Sequence, residues 1–189
     1  VLIMANNEPH VLYEVKLKRL LLEIDGGANF DATHLLANGR ANYILFENFI
    51  AQCAGLSPNG QGAGPDLCDD RGNGYEVKSY RAPESFPGPK NDMFHTAASS
   101  TFAPNNRGPT IRLLLQSGNY AEALEICRET GFDKNDFYIY VNSAQYDASI
   151  PFRYIILPTS EVLSLLSSDD PRLISRADIL ARARKKVAI

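Results

Sequence analysis

The sequence predicts a mixed α/β domain with one central sheet, and three observations carry that expectation. The segments DFYIYVN (136–142) and FRYIILP (152–158) are rich in aromatic and β-branched residues and read as strands. GPDLCDDRGNGYEVKSY (64–80) places the turn signal RGNG between two strand-like runs and reads as a hairpin. Before, between and after these strands, apolar residues recur at three and four, with capping residues at the ends, as in helices.

Bulk properties frame this. The chain has 189 residues, 44% hydrophobic and 22% charged, which is enough for one domain, 1–189, with a sizeable core. No apolar run nears the roughly 20 residues that span a bilayer, so no membrane partner is expected. VLIMANNEPH has no basic region ahead of its brief apolar start and does not read as a signal peptide; Met4 reads as a possible internal start. Cys53, Cys68 and Cys127 form no C-x-x-C pair, which argues against thiolate zinc and fits core thiols in a reducing, cytoplasmic setting. A net charge of −3 argues mildly against nucleic acid, yet the cations are unevenly spread. Arg71, Lys78, Arg81, Lys90, Arg107 and Arg112 punctuate the middle, and Arg182, Arg184, Lys185 and Lys186 gather near the end, where a solvated helix face is expected.

In chain order, Val11, Leu12, Val15 and Leu20 predict a helix over about 11–24, stopped by Gly26-Gly27. Ala41, Ile44, Leu45, Phe49 and Cys53 predict a second over about 40–54, with Gly55 at its C-terminal cap. SPNGQGAGP (57–65) reads as a turn-rich loop, followed by the hairpin. Residues 81–108 hold four prolines among Ser, Thr and Asn and read as a long loop of the functional or disordered kind. Pro109 suits the first turn of a helix over PTIRLLLQSG. Asn119 and Glu122 stand as N-cap and N3 of YAEALEICRET, which Gly131 ends. Helices over about 159–166 and 170–186 follow the last strand.

The hairpin carries the chemistry. Alternate strand residues share a face, so Glu76 and Lys78 project together and Val77 opposes them. If Asp66 stands opposite Glu76 or Lys78, the three polar side chains converge and Leu67 and Val77 enter the core. The odd register would bury an unpaired carboxylate. Two carboxylates suit Mg²⁺, which takes one or two of them with water and substrate phosphate, and the Val77 carbonyl lies in reach as a further oxygen. Lys78 could position or help deprotonate an attacking water, or neutralise charge on the phosphate. Asp69 and Asp70 read as turn residues.

Pro65-Asp66, nine residues, then Glu76-Val77-Lys78 resembles the PD-(D/E)xK nuclease superfamily, most of all type II restriction endonucleases. The resemblance implies a restriction-endonuclease-like mixed central sheet flanked by helices, with Asp66 and Glu76 as metal ligands and Lys78 as the catalytic lysine. It is tight over the hairpin and holds elsewhere only in element order. Many members carry a glutamate on the preceding helix, and Glu47, between Ile44 and Ile50, looks similar; the alternative is a helix-edge glutamate reaching solvent. Double-stranded DNA as substrate, Mg²⁺ as cofactor and a homodimer with two active sites are likewise implied.

The segment 91–108 is dense in groups that read bases or phosphates, and His95, Thr96, Ser99, Ser100, Asn105, Asn106 and Arg107 are the candidate DNA contacts, with Arg81 for a phosphate. The expected function is a Mg²⁺-dependent, sequence-specific DNA endonuclease leaving a 5′-phosphate and a 3′-hydroxyl. The alternatives are a repair, nicking or junction-resolving nuclease of the same fold, and a non-enzymatic interaction domain with an acidic hairpin.

Overall fold

The computed structural model of the chain describes residues 6–16, 19, 21–33, 39–59, 64–80, 93–95, 108–130, 135–142, 152–166 and 173–189. Among the described residues the strands are, in chain order, β1 (Val11–Val15), β2 (Leu21–Ile24), β3 (Ala28–Asp31), β4 (Ser57–Pro58), β5 (Leu67–Cys68), β6 (Gly74–Tyr80), β7 (Met93–His95), β8 (Phe137–Asn142), β9 (Phe152–Pro158), β10 (Leu173–Ser175) and β11 (Lys185–Ala188). The helices are α1 (Gly39–Ala54), α2 (Gly108–Gln116), α3 (Tyr120–Thr130), α4 (Thr159–Ser164) and α5 (Arg176–Leu180). Seven strands form one open mixed sheet in the order β11-β1-β9-β8-β6-β5-β4, with β10-β7 and β2-β3 as separate pairs. The protein is therefore mixed α/β, as the sequence predicts. Among the described residues no helix is long and apolar enough to cross a membrane.

Strand alternation splits the core into two layers. On one face Val11, Tyr13, Val15, Leu67, Tyr75, Val77, Ile139, Val141, Tyr154 and Ile156 pack with Ile50, Ala51 and Ala54 of α1. On the other, Tyr138, Tyr140, Ile155 and Leu157 pack with Ile111 of α2, Ala123 and Leu124 of α3, Val162 of α4 and Ile179 of α5. Helix α1 ends as its sequence demands. Gly55 has φ 66°, the Leu56 amide donates to the Ala51 carbonyl at 2.8 Å, and the Gly55 amide donates to that of Gln52 at 3.4 Å. That is a Schellman cap, and it turns Leu56 back into the core. Ahead of α3, the Asn119 side-chain amide meets the Glu122 carboxylate at 2.6 Å. Cys53 and Cys68 are free thiols, and burial pushes Cys53 up to about 11.

Four expectations change. The helix over 11–24 is two strands. Val11, Tyr13 and Val15 are buried while Leu12 and Glu14 are only partly so, a period of two, and β1 pairs with β9 on one edge and β11 on the other. Two ladders formed with distant residues override local spacing. Gly26 and Gly27, at φ 105° and 84°, turn the β2–β3 hairpin instead of stopping a helix. The helix over 170–186 is β10, α5 and β11, because Ile174 and Ile179 both reach the core and the tail adds to β1 as a parallel edge strand. The basic cluster therefore lies on a turn and an edge strand. Lys185 meets Glu8 at 2.6 Å and Lys186 meets Glu14 at 2.7 Å, and such charges discourage further strand addition. Finally, β4 lies within the loop expected over 57–65 and β7 within the one expected over 81–108; 81–92 and 96–107 are outside the described residues.

Ile139→Ala, at a site with no exposure in a central strand, should destabilise the fold by about 2–5 kcal/mol. Leu113→Ala, at a position 66% exposed, should stay within about 0.5 kcal/mol of wild type. Urea denaturation midpoints check both.

Candidate active site

Strand β6 is internal to the sheet, antiparallel to β5 and parallel to β8. Its register places Glu76 beside Tyr138, Val77 beside Ile139 and Lys78 beside Tyr140. Val77 belongs to the α1 side of the core, so Glu76 and Lys78 project into the other layer, with Tyr138 and Tyr140. Glu76 is 7% exposed, and the Lys78 ammonium donates to its Oε1. A carboxylate this far from water needs such a partner. Removing the partner from a buried ion pair costs about 3–5 kcal/mol, because the remaining charge is then unanswered.

Asp66 joins them through the hairpin. Leu67 pairs with Tyr75, so one further step puts Asp66 opposite Glu76, the first of the two registers the sequence allows. The ladder does not continue regularly. The Pro65 carbonyl accepts from the Asn59 side-chain amide at 3.1 Å, and the Asp66 carbonyl accepts from the Asn59 backbone at 3.0 Å. The Val77 amide, which a regular ladder would aim at Pro65, donates instead to Asp66 Oδ2 at 2.8 Å. In an extended strand the N–H and C=O of one residue leave toward the same edge, so the Val77 carbonyl also faces the Asp66 side. Gly64 protects the arrangement: a Cβ there would fall 2.7 Å from Asn59 Nδ2.

The turn is built from Asp69, and the first strand ends before it. Asp69 Oδ1 accepts from the amides of Arg71 at 3.0 Å and Asn73 at 2.8 Å; Oδ2 accepts from Asn73 Nδ2 at 2.7 Å and the Tyr75 hydroxyl at 3.2 Å. Gly72 takes φ 84°. Desolvation pushes the Asp69 carboxyl up, but the hydrogen bonds from Asn73, Arg71 and Tyr75 together outweigh it and hold the group below the usual carboxylate range. Asp69 is thus a turn residue, as expected. Asp136 anchors the same strand: its Oδ2 accepts from the Gly74 amide at 2.7 Å.

The structure thus brings together Asp66, Glu76, Val77 and Lys78. Glu47 has a buried carboxylate oxygen and sits on α1, whose Ile50, Ala51 and Ala54 pack on the Val77 face of the sheet. His95 lies on β7, which pairs with β10 and packs against β6. Arg81, Thr96, Ser99, Ser100, Asn105, Asn106 and Arg107 lie outside the described residues. In the sequence Tyr138 and Tyr140 stand out only as strand formers. The structure puts them on the face of the charged pair, where burial first and then the Glu76 carboxylate push the Tyr140 hydroxyl well above its usual range. Their even spacing against Glu76 and Lys78 was visible, but the parallel pairing of β6 with β8 was not.

Two carboxylates and a carbonyl are hard oxygen donors of the kind Mg²⁺ takes. Among the described residues no group of three or more His, Cys, Asp or Glu is placed to hold a metal, so substrate and water would have to complete the shell. No protein-family model matches the chain, and no curated protein or solved structure matches it either.

Asp69→Asn should destabilise the hairpin near neutral pH. Because the folded carboxyl lies below its unfolded value of about 3.9, its contribution is present above that pH and fades as pH falls through the lower folded value. The stability gap between wild type and variant should therefore narrow below about pH 4 in urea titrations at stepped pH.

Proposed function

We propose that the chain is a metal-dependent phosphodiester hydrolase. Within that class, the reading is a type II restriction endonuclease of the PD-(D/E)xK kind, cutting double-stranded DNA at a short specific sequence. The observation that carries it is the convergence of Asp66, Glu76 and Lys78 at one place on the sheet, with the Asp66 carboxylate occupying a backbone position beside Val77. A mixed sheet with helices packed on both faces is in keeping with that superfamily.

In this reading Asp66, Glu76 and the Val77 carbonyl hold Mg²⁺. When bound, the ion supplies Lewis-acid stabilisation of phosphate charge and a more acidic water. Lys78 is held by Glu76, so its ammonium is positioned beside that carboxylate and can stabilise negative charge developing on the phosphate. Tyr138 and Tyr140, both buried, flank the site on the β8 side, and a low-dielectric flank strengthens such electrostatic contacts. Two copies of the chain would place one site on each DNA strand. The residues after β6, with His95 on β7, would read the duplex.

Plasmid DNA incubated with the protein should give discrete fragments in Mg²⁺ and none in EDTA. Nicking or structure-dependent cutting would move the reading to a repair or junction-resolving nuclease. No cleavage of any DNA, in Mg²⁺ or Mn²⁺, would leave the interaction-domain alternative. Asp66→Asn keeps an acceptor for the Val77 amide but removes the charge; Lys78→Met keeps the stem. Each should lower the cleavage rate by at least about a hundredfold while DNA binding persists. Circular dichroism verifies that both variants fold, and wild-type cleavage by Asp66→Asn would overturn the metal assignment.

A further inference from the structure

The β2–β3 hairpin stands outside the seven-stranded sheet, and among the described residues its strands pair only with each other. Every residue of β3 is exposed, and so are Leu21 and Leu22 of β2. Among the described residues the exposed large apolar side chains are Leu21, Leu22, Phe30, Leu113, Leu180 and Ile189, so half of them share this one hairpin. Its register sorts them. Leu22 stands opposite Phe30 and Ile24 opposite Ala28, which makes one face apolar. Leu21 stands opposite Asp31 and Glu23 opposite Asn29, so the other face is polar apart from Leu21. A two-stranded hairpin is marginal in water by itself; three or more strands with an apolar face are needed for independent stability.

The charges along β2 say what could supply those strands. Residues 21–31 carry Glu23, Asp25 and Asp31 and no base, whereas Lys16, Lys18 and Arg19 all precede β2. Charge thus runs from positive to negative along the strand, and the same strand running the other way complements it. Opposite residues of an antiparallel pair share a face, and neighbours along a strand do not. Two copies related by a two-fold axis therefore keep their apolar faces together only if one residue of β2 meets itself. With Glu23 on the axis, two glutamates meet; with Ile24, Glu23 meets Asp25; with Leu22, Leu21 meets Glu23. With Leu21 on the axis, Arg19 of each copy meets Glu23 of the other. The lone leucine of the polar face is then covered by its own copy, and opposite charges close both ends. Arg19 donates to Asp31 Oδ2 from Nε at 3.1 Å and from Nη2 at 2.9 Å, which uses two of its five donors.

We propose that β2 is a homodimer contact, in which two copies pair antiparallel about Leu21 and join their hairpins into one four-stranded sheet. The nuclease reading calls for two copies, but this contact rests on the hairpin's own residues and stands or falls apart from that reading. Four residues span only about 13 Å of strand, so the dimer is reversible and concentration-dependent rather than obligate.

The test is sedimentation equilibrium of the full-length chain over a concentration series, with disulfide cross-linking to read the register. Wild type should pass from monomer to dimer as its concentration rises. Leu21→Cys should form a covalent dimer under oxidising conditions, because Cα atoms meeting across an antiparallel pair lie about 4.5–5.5 Å apart, within disulfide reach. Leu22→Cys, at an equally exposed position, should not, because its two copies lie about 8 Å apart on the diagonal. Wild type, with its native cysteines, is the control for both. Arg19→Glu and Glu23→Arg should each weaken the dimer about tenfold or more, and an equimolar mixture of the two should recover it, since each cross-strand pair is then again opposite in sign. Mixing would not repair a hairpin that had merely unfolded. If wild type stays monomeric at its highest soluble concentration, the contact falls. If it dimerises but Leu22→Cys cross-links as readily as Leu21→Cys, or the mixture does not recover, the register falls and the proposal with it. If neither charge variant weakens the dimer, the copies meet elsewhere and the proposal falls. DNA cleavage, measured separately, decides the nuclease reading in every case.

Discussion

The hydrogen bond from the Val77 amide to the Asp66 carboxylate is the point on which the site's geometry turns. A hairpin normally spends its amides on backbone carbonyls. Here Asn59, pinned next to β4, takes the Pro65 carbonyl out of the ladder, and a side chain fills the vacancy in the pattern. The consequence is that β5 is only two residues long and its chain diverges from β6 at Asp66. Divergence ends the β5 ladder where the Val77 carbonyl emerges, while β8 continues to hold the other edge through six paired residues. A strand gripped along one edge can carry polar groups on the other without losing its register.

That register matters because β6 separates two packed layers. Shifting it by one residue would exchange Val77 for Glu76 in the α1 layer and strand a carboxylate among Ile50, Ala51 and Ala54. In the native register the apolar contacts, not the ion pair, supply the stability. A buried ion pair seldom adds net stability, and apolar replacements of similar volume are often neutral or stabilising by about 1–4 kcal/mol. Glu76 and Lys78 thus occupy positions that Val or Leu would fill at less cost to the fold. Their presence beside a second carboxyl-bearing residue, Asp66, is what favours a chemical role over a structural one.

Local signals were legible where a residue's own chemistry fixes its conformation. Gly55 had to cap α1, Gly72 had to turn the hairpin, and Asp69 had to serve the turn, because each satisfies backbone groups within a few positions. The aromatic and β-branched runs of β8 and β9 were equally plain. The ends of the sheet were not. In Val11–Val15 and Lys185–Ala188 the decisive hydrogen bonds join residues more than 170 apart, and nothing in either segment alone announces the other. Within the site, parity gave the shared face of Glu76 and Lys78 and the convergence of Asp66. It could not assign Glu47 to a layer, since helix spacing shows which side of α1 is apolar but not which face of the sheet that side meets.

Charge distribution follows the same logic. A net charge of −3 weighed against a polyanionic partner when the chain was taken as a whole. The fold segregates that charge. Asp69 is consumed by its turn, Asp31 is engaged by Arg19 at 2.9 Å on the outlying β2–β3 hairpin, and Glu8 and Glu161 are matched by Lys185 and Arg182. Acidic groups so engaged contribute little field at a distance. On the face that carries Lys78, β1, β9 and β11 instead bring two cations, Arg153 and Lys186, to the one carboxylate of Glu14. A polyanion responds to that local field within about 10 Å at 0.1 M salt, not to the sum over the chain. A negative total is therefore compatible with a locally positive edge of the sheet.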